Sequence, residues 1–277
     1  FEHRRQQVDM MANVIVAFNE AQNVMIEAGT GTGKSMAYLI PAIYWAIQNG
    51  ERVVISTNTI NLQDQLLNQD IPLLQQILPV EFKAVALKGR SNYVCPRRVE
   101  LFKAKGKHSP RELRLLAKLL VWQPSTTTGD REELFMPDYA EQALWSQVAS
   151  DPNICTPRFC SPETCFYARA RREAESAHLI VVNHALLLAD IGVENKIIPE
   201  YKYLVIDEAH HLENTVTDQL SIIIDQKLSL QLLRELYQPL RGSDRRAGFI
   251  FEVARRSTAV VPDSLKDDVN DLTSKTE

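Results

Sequence analysis

An α/β fold organised around a parallel sheet is the class this sequence predicts, and three observations predict it. Short apolar, β-branched runs alternate with longer stretches of helical periodicity. One such run leads into a Gly-rich turn that opens a helix. Another ends in two adjacent carboxylates. Of the 277 residues, 45% are apolar and 24% charged. That balance excludes a wholly disordered chain, a collagen-like repeat and a disulfide miniprotein.

Taken in order, residues 5 to 19 are predicted helical. Val24 to Glu27 is a short apolar strand before the Gly-rich turn, and residues 34 to 48 form the helix after it. Arg52 to Ser56 is a strand, residues 59 to 68 a helix, and Phe82 to Leu87 a further strand candidate. Leu179 to Val182 and Tyr203 to Ile206 carry the signature of buried parallel strands. Residues 89 to 170 interrupt the pattern. They hold all four cysteines and a cluster of turn residues from Pro124 to Asp130, and they are expected to form an inserted subdomain. After Asp207 the chain turns helical, with apolar residues at helical spacing over 212 to 240 and a polar, charged stretch over 243 to 277. The expected domains are therefore 1–88 with 171–212, the insertion 89–170, and a helical segment 213–277.

The longest near-apolar run, Met36 to Ile47, is shorter than the roughly 20 residues a membrane span needs, so no membrane association is expected. His3, Arg4, Arg5 and Asp9 leave no room for a signal peptide. The chain begins with Phe, so it is expected to be a piece of a longer, cytoplasmic protein.

Glu27-Ala-Gly-Thr-Gly-Thr-Gly-Lys-Ser35 sits between a predicted strand and a predicted helix, the context of a phosphate-binding P-loop. Gly29, Gly31 and Gly33, with Thr30 and Thr32, let backbone N–H groups converge on phosphate oxygens at a helix N-terminus. Lys34 is placed to reach the β- and γ-phosphates of ATP, and Ser35 to ligate Mg²⁺. Ala28 stands where the strict pattern has Gly. Leu204-Val-Ile-Asp-Glu-Ala-His210 supplies the complement. Asp207 suits the second Mg²⁺ ligand, Glu208 the group that orients or deprotonates water, and His210 a sensor of the γ-phosphate. His211 reads as a surface or cap residue.

Net charge is −4, which argues against a general polyanion binder, yet residues 88 to 118 hold ten Lys/Arg against two acids. The island includes Lys88, Arg90, Arg97 and Arg98, with Tyr93 and Phe102 interleaved. Phe159, Phe166 and Tyr167 lie near the later cysteines. Cations with aromatics suit single-stranded nucleic acid; a solvated helix face and small-domain core are the alternatives. Arg169, Arg171 and Arg172 extend the charge, with Glu173 and Glu175 at helical pairing distance. Thr57, Asn58 and Thr59 follow a strand and read equally as phosphate contacts or as a helix cap. His184 reads as a packing residue between insertion and core, or as a metal ligand; Trp45, Trp122 and Trp145 read as core. Cys95, Cys155, Cys160 and Cys165 form C-x₄-C-x₄-C with one cysteine far upstream. Four thiolates suit a [4Fe–4S] cluster or a structural Zn²⁺, and free thiols or disulfides remain open. The apolar content of this region looks thin for a large core, so a metal cross-link is expected to support it.

The P-loop and Asp-Glu-Ala-His together resemble superfamily 2 helicases. The likeness is closer to the DinG/XPD branch, and specifically to bacterial DinG-like helicases. Ser56-Thr-Asn-Thr-Ile-Asn-Leu-Gln-Asp-Gln-Leu66 is similar to that family's motif Ia. Lys88-Gly-Arg-Ser-Asn-Tyr-Val-Cys95 is similar to the start of its iron–sulfur domain, and Val182-Asn-His-Ala-Leu-Leu187 to the return to its motor core. The resemblance covers residues 1 to 215. It implies a RecA-like P-loop motor domain with an inserted [4Fe–4S] domain held by the four cysteines, and the start of a helical arch. Gln7 stands where the family reads adenine. It also implies an ATP- and Mg²⁺-dependent 5′→3′ DNA helicase of repair or replication restart. Its partners would be single-stranded or forked DNA, a second motor domain beyond this segment and, as in some relatives, an upstream exonuclease domain. The rival readings are a nucleotide-dependent regulatory switch and a zinc-stabilised DNA-binding module without unwinding.

Overall fold

The computed structural model describes residues 4–29, 31–152, 155, 160–193, 196–221 and 226–236, with short stretches beyond. Residues 1–219 form one compact unit and 220–277 a second.

In the first unit, helices α1 (Arg5–Glu20) and α2 (Lys34–Asn49) precede β1 (Val53–Thr57). Helical structure then runs through α3 (Ile60–Gln65), a π-helical turn (Leu66–Asp70) and α4 (Ile71–Ile77). The expected helix at 59 to 68 is thus longer. It stops only where Leu78 turns extended ahead of Pro79, whose ring disfavours helix in the preceding residue. Next come β2 (Ala84–Ala86), α5 (Pro96–Ala104), α6 (Pro110–Trp122), α7 (Tyr139–Leu144) and α8 (Phe166–Glu175). β3 (Leu179–Asn183), α9 (His184–Gly192), β4 (Tyr203–Ile206) and α10 (Leu212–Leu220) complete the order. In the second unit, α11 (Gln226–Leu236) is followed by an antiparallel pair, β5 (Gln238–Pro239) and β6 (Arg246–Ala247). The rest of the segment expected to be helical and then polar, 213 to 277, lies largely outside the described residues.

The four strands of the first unit are parallel, in the order β2-β3-β1-β4. Ser56 lies opposite Val182 of β3 and Ile206 of β4, so the three strands end level with one another. Strand alternation sorts the core. Val53 and Ile55 face a cluster that includes Val14, Phe18, Leu39 and Ile43 of α1 and α2. Val54 faces the other side with Leu87, Ile180, Val182, Leu186 and Leu187. A fully buried leucine in such layers contributes about 1.5–3 kcal/mol.

Two expectations are corrected. Val24 to Glu27 runs without a sheet partner, and Met25 is 98% exposed. A strand needs a neighbouring ladder, and among the described residues this segment pairs with neither edge strand of the sheet, β2 or β4. The region 89–170 is also not thin in core. Tyr93, Val99, Phe102, Leu115, Leu119, Trp145, Phe166 and Tyr167 form their own buried cluster. Trp45 and Trp122 pack at core edges, as expected. No helix among the described residues is long and apolar enough to cross a membrane.

Candidate functional site

The phosphate loop is shaped by glycine. Gly31 and Gly33 have φ of +77° and +80°, a region that L side chains avoid. A Cβ on Gly33 would also collide with the Gln7 amide. Gln7 donates from Nε2 to the Gly33 carbonyl at 3.0 Å, and Arg4 donates to the Gly31 carbonyl, so α1 ties the loop from outside. Thr32 Oγ1 closes it internally on the Gly29 carbonyl at 2.9 Å. Thr30 lies outside the described residues. Arg4 was not singled out in the sequence, because an exposed arginine at a helix start carries no signal of its own.

The carboxyl end of β4 comes to this loop. Lys34 Nζ donates to Glu208 Oε1 at 2.9 Å. The Glu208 hydrogen bond raises the Lys34 pKa against the opposing effect of burial, and the same contact lowers that of Glu208. Glu208 itself has φ of +54°, a left-handed conformation uncommon outside Gly, Asn and Asp and typical of functional turns. Asp207 donates its N–H to the Ser56 carbonyl at 2.8 Å and accepts from Tyr38 OH at 3.2 Å. Burial pushes the Asp207 carboxyl above its ordinary value. His210 Nδ1 lies 3.5 Å from Glu208 Oε2 on an exposed turn. Thus Lys34, Asp207, Glu208 and His210, predicted from two motifs 170 residues apart, stand together.

Tyr38 and Asp70 complete the cluster and were not foreseen. Burial and the Asp207 charge push the Tyr38 hydroxyl well above its usual value. Asp70, at the end of the π-helical turn, is raised by burial while the Ser35 hydroxyl opposes that shift. The signal for Tyr38 was available: four residues after Lys34, it shares that helix face. Nothing in sequence spacing points to Asp70, because the π-turn that aims it is decided by packing.

The expected nucleic-acid residues divide. Thr57 is fully buried and turns its hydroxyl to the Thr59 carbonyl at 3.2 Å, so that side chain cannot meet a phosphate. Thr59 takes the cap alternative, accepting from Leu62 N–H at 3.2 Å while remaining exposed. Asn58 is partly open at the strand end. Tyr93 is core, 4% exposed, packed edge-on against Tyr167 with its hydroxyl accepting from Lys88 N–H, so it offers no ring to a base. Phe102, Phe166 and Tyr167 are buried likewise, and Phe159 lies outside the described residues. Arg98 donates to the Ala149 carbonyl at 2.7 Å and faces Asp151. Arg90 stacks over Tyr167, 4.1 Å from the ring centre, and Arg97 is exposed. Lys88 leaves the basic island altogether. It is buried among Asp64, Asp130 and Glu132 at 3.2, 2.7 and 2.6 Å. Arg169 and Arg172 engage the 162–163 turn rather than Glu173 and Glu175. Phe135 and Tyr139, both at least 80% exposed, are open aromatics of this region that the sequence reading passed over.

None of the four cysteines is disulfide-bonded in this structure. Cys95 feels the charges of Cys155 and Cys165, and Cys155 is hydrogen-bonded to Cys160. The Cys155 pKa is lowered despite burial, by Ser150 and Cys160, with Arg90 nearby. The donor chemistry therefore fits a thiolate-ligated metal. Among the described residues, no three potential ligands stand in closed ligand geometry. His184 lies at the strand ends, away from the cluster of residues 93–167: its Nδ1 is 2.7 Å from Ser56 Oγ.

Residues 5–99 match the model of the DEAD/DEAH box helicase family, and residues 153–228 match that of DEAD_2. The chain is 38% identical to "ATP-dependent helicase DinG" of Mycobacterium tuberculosis over 77% of its own length and 35% of the relative's. It is 35% identical to "3'-5' exonuclease DinG" of Bacillus subtilis, over 86% of this chain and 27% of that one. It is also 35% identical to "ATP-dependent DNA helicase YoaA" of Haemophilus influenzae, over 85% of this chain and 37% of that one. A solved structure titled "XPD_Helicase" shares the fold at 16% identity, with a TM-score of 0.50 over 99% of this chain and 47% of that one. The chain spans about a third of the length of these curated relatives.

Proposed function

Because the chain belongs to the DinG-like helicases, we propose that it is the N-terminal motor segment of an ATP-dependent DNA helicase. The observation that carries this reading is the contact of Lys34 with Glu208 beside Asp207, at the carboxyl end of a parallel sheet, where ligands of open α/β folds bind. The motor domain comprises 1–88 and 171–212, the cysteine-bearing insertion 89–170, and the start of a helical arch 213–277. The protein acts in the cytoplasm, in repair or replication, and moves 5′→3′ on single-stranded DNA.

Lys34 is held by Glu208. The β- and γ-phosphates of ATP offer Lys34 a stronger anionic partner, with Gly29 to Gly33 supplying backbone donors and Gln7 the adenine contact. Lys34 then leaves Glu208, whose carboxylate is freed to take a proton from the attacking water. Ser35 and Asp207 would hold Mg²⁺, which neutralises phosphate charge when bound. Tyr38 keeps the Asp207 carboxylate aimed. His210, next to Glu208, meets the γ-phosphate. Asn58, Thr59, Arg90 and Arg97 contact the nucleic-acid backbone. Cys95, Cys155, Cys160 and Cys165 would hold a [4Fe–4S] cluster, which stiffens the insertion as a wedge at the duplex junction. One relative's name, an exonuclease, favours a second reading in which the motor drives a nuclease without unwinding.

The test is ATP hydrolysis by the full-length protein with and without single-stranded DNA, alongside strand separation on a forked duplex. Stimulation and unwinding, both lost in Lys34→Ala, are expected. Nucleotide binding with no DNA response would favour the regulatory switch, and stimulation without unwinding the nuclease-coupled reading.

A further inference from the structure

His184 is fully buried, and the nucleotide chemistry does not use it. It opens α9 directly after β3. From there its ring reaches the end of the neighbouring strand β1. Nδ1 lies 2.7 Å from the hydroxyl of Ser56, which is itself fully buried on β1. The Ser56 carbonyl in turn accepts the Asp207 N–H at 2.8 Å. On the other side, the ring sits close enough to the Asp207 and Glu208 backbone for those peptide groups to favour its charged form, against the larger effect of burial. Yet Nε2 makes no hydrogen bond among the described residues.

Packing alone does not account for this arrangement. A buried polar atom left unsatisfied costs about 1–3 kcal/mol, and a leucine would fill similar volume without that cost. The ring lies beside a turn that is itself held away from its relaxed form, with Glu208 at φ +54°. Ser56 is also one residue before the strand-end loop Thr57-Asn58-Thr59.

We propose that His184 is a positioning residue that joins the 57–59 loop to the Asp207–Glu208 turn, so that nucleic acid at the first sets the geometry of ATP hydrolysis at the second. This rests on the helicase reading above. Nδ1 anchors the ring to β1. A shift of the strand end on phosphate contact carries the ring with it, and Nε2 gains a backbone partner in the Asp207–Glu208 turn. The turn therefore has two arrangements, one with the imidazole bond and one without, and each site biases the same element.

Two amide replacements separate the ring nitrogens. In His184→Asn the amide takes the place of Nδ1 and keeps the Ser56 bond but cannot reach the turn. In His184→Gln the amide extends to the place of Nε2. The readouts, on the full-length protein, are kcat and KM for ATP with and without an oligodeoxythymidine strand, nucleotide affinity, and melting temperature. His184→Asn is expected to melt near the wild type and keep KM and unstimulated turnover within about twofold, while losing DNA stimulation by about tenfold, within the usual range of coupling energies. His184→Gln is expected to recover most of that stimulation. Wild-type stimulation in His184→Asn overturns the inference, and so does an equal loss of basal and stimulated turnover. If His184→Asn does not fold, Ser56→Ala carries the test, since it keeps the ring but frees it from β1. Loss of stimulation alone supports the link, and intact stimulation overturns it. A wild-type protein that DNA does not stimulate overturns the helicase reading itself, which distinguishes the two failures.

Discussion

At the scale of single residues, Glu208 stands between two roles. It neutralises Lys34, and in the proposed mechanism it is also the proton acceptor. Glu208→Gln is therefore expected to retain ATP binding while hydrolysis falls by about 10²–10⁴-fold, the usual contribution of a positioned base. Equilibrium nucleotide binding beside a phosphate-release assay measures both. The ion pair also has a pH signature. The pKa of Glu208 is lowered in the folded protein, so its stabilising contribution is complete above the ordinary carboxylate value near 4.3. It is lost as pH falls through the lower folded value. Denaturant melts of wild type and Glu208→Gln should differ at neutral pH and converge on acidification below about pH 4. Tyr38 belongs at this scale as well. Its hydrogen bond to Asp207 is invisible in a motif, yet helical spacing from Lys34 places it on the right face.

At the scale of elements, α6 is begun by a capping box. The Ser109 hydroxyl accepts from Glu112 N–H, and the Glu112 carboxylate accepts from Ser109 N–H. Ser109→Ala should cost about 1 kcal/mol in thermal or denaturant melts. Lys105, with the two Ser109 contacts, lowers the Glu112 pKa to about 2. The stabilisation from Glu112 is thus present above about pH 4.3 and disappears as pH falls towards about 2, so wild type and Glu112→Gln should converge there. Lys88 makes a longer connection. It ties Asp64 of α3 to Asp130 and Glu132 of the segment between α6 and α7. Burial alone would lower its pKa, but the carboxylates outweigh that and raise it. Lys88→Met leaves three carboxylates without their cation and should destabilise the fold by about 3–5 kcal/mol, read as a lower denaturation midpoint. In the sequence Lys88 was one cation of a basic island; only the fold shows that its charge is used inside.

At the scale of the whole molecule, Cys95 comes within electrostatic reach of Cys155 and Cys165, which lie 60 and 70 residues further along the chain. The full-length protein, purified without oxygen, is expected to contain about four irons per chain and absorb near 400 nm, as a Cys₄ cluster does, and to lose both in Cys155→Ser. One zinc per chain without colour would leave the ATPase standing and remove the wedge. The same scale explains the open segment Val24 to Glu27. Its apolar composition is that of a strand, yet among the described residues it pairs with neither edge strand, β2 or β4, so composition is not enough to seat it.

Local chemistry determined what was legible in advance. The glycines with positive φ, Lys34 and Ser35 at a helix start, and the paired acids at a strand end are short-range requirements, written in consecutive residues. Strand alternation and helical periodicity likewise set the class of the fold, because each element must bury one face. The tertiary structure alone decided which polar groups face each other across the chain. It set Glu208 on Lys34, His184 on Ser56 and Lys88 among three carboxylates, and it turned Tyr93 and Thr57 inward. A residue's type says what it can bond with, but burial and partners depend on elements that meet only when the whole sheet has assembled, and on those hang the charge a side chain shows and the role it fills.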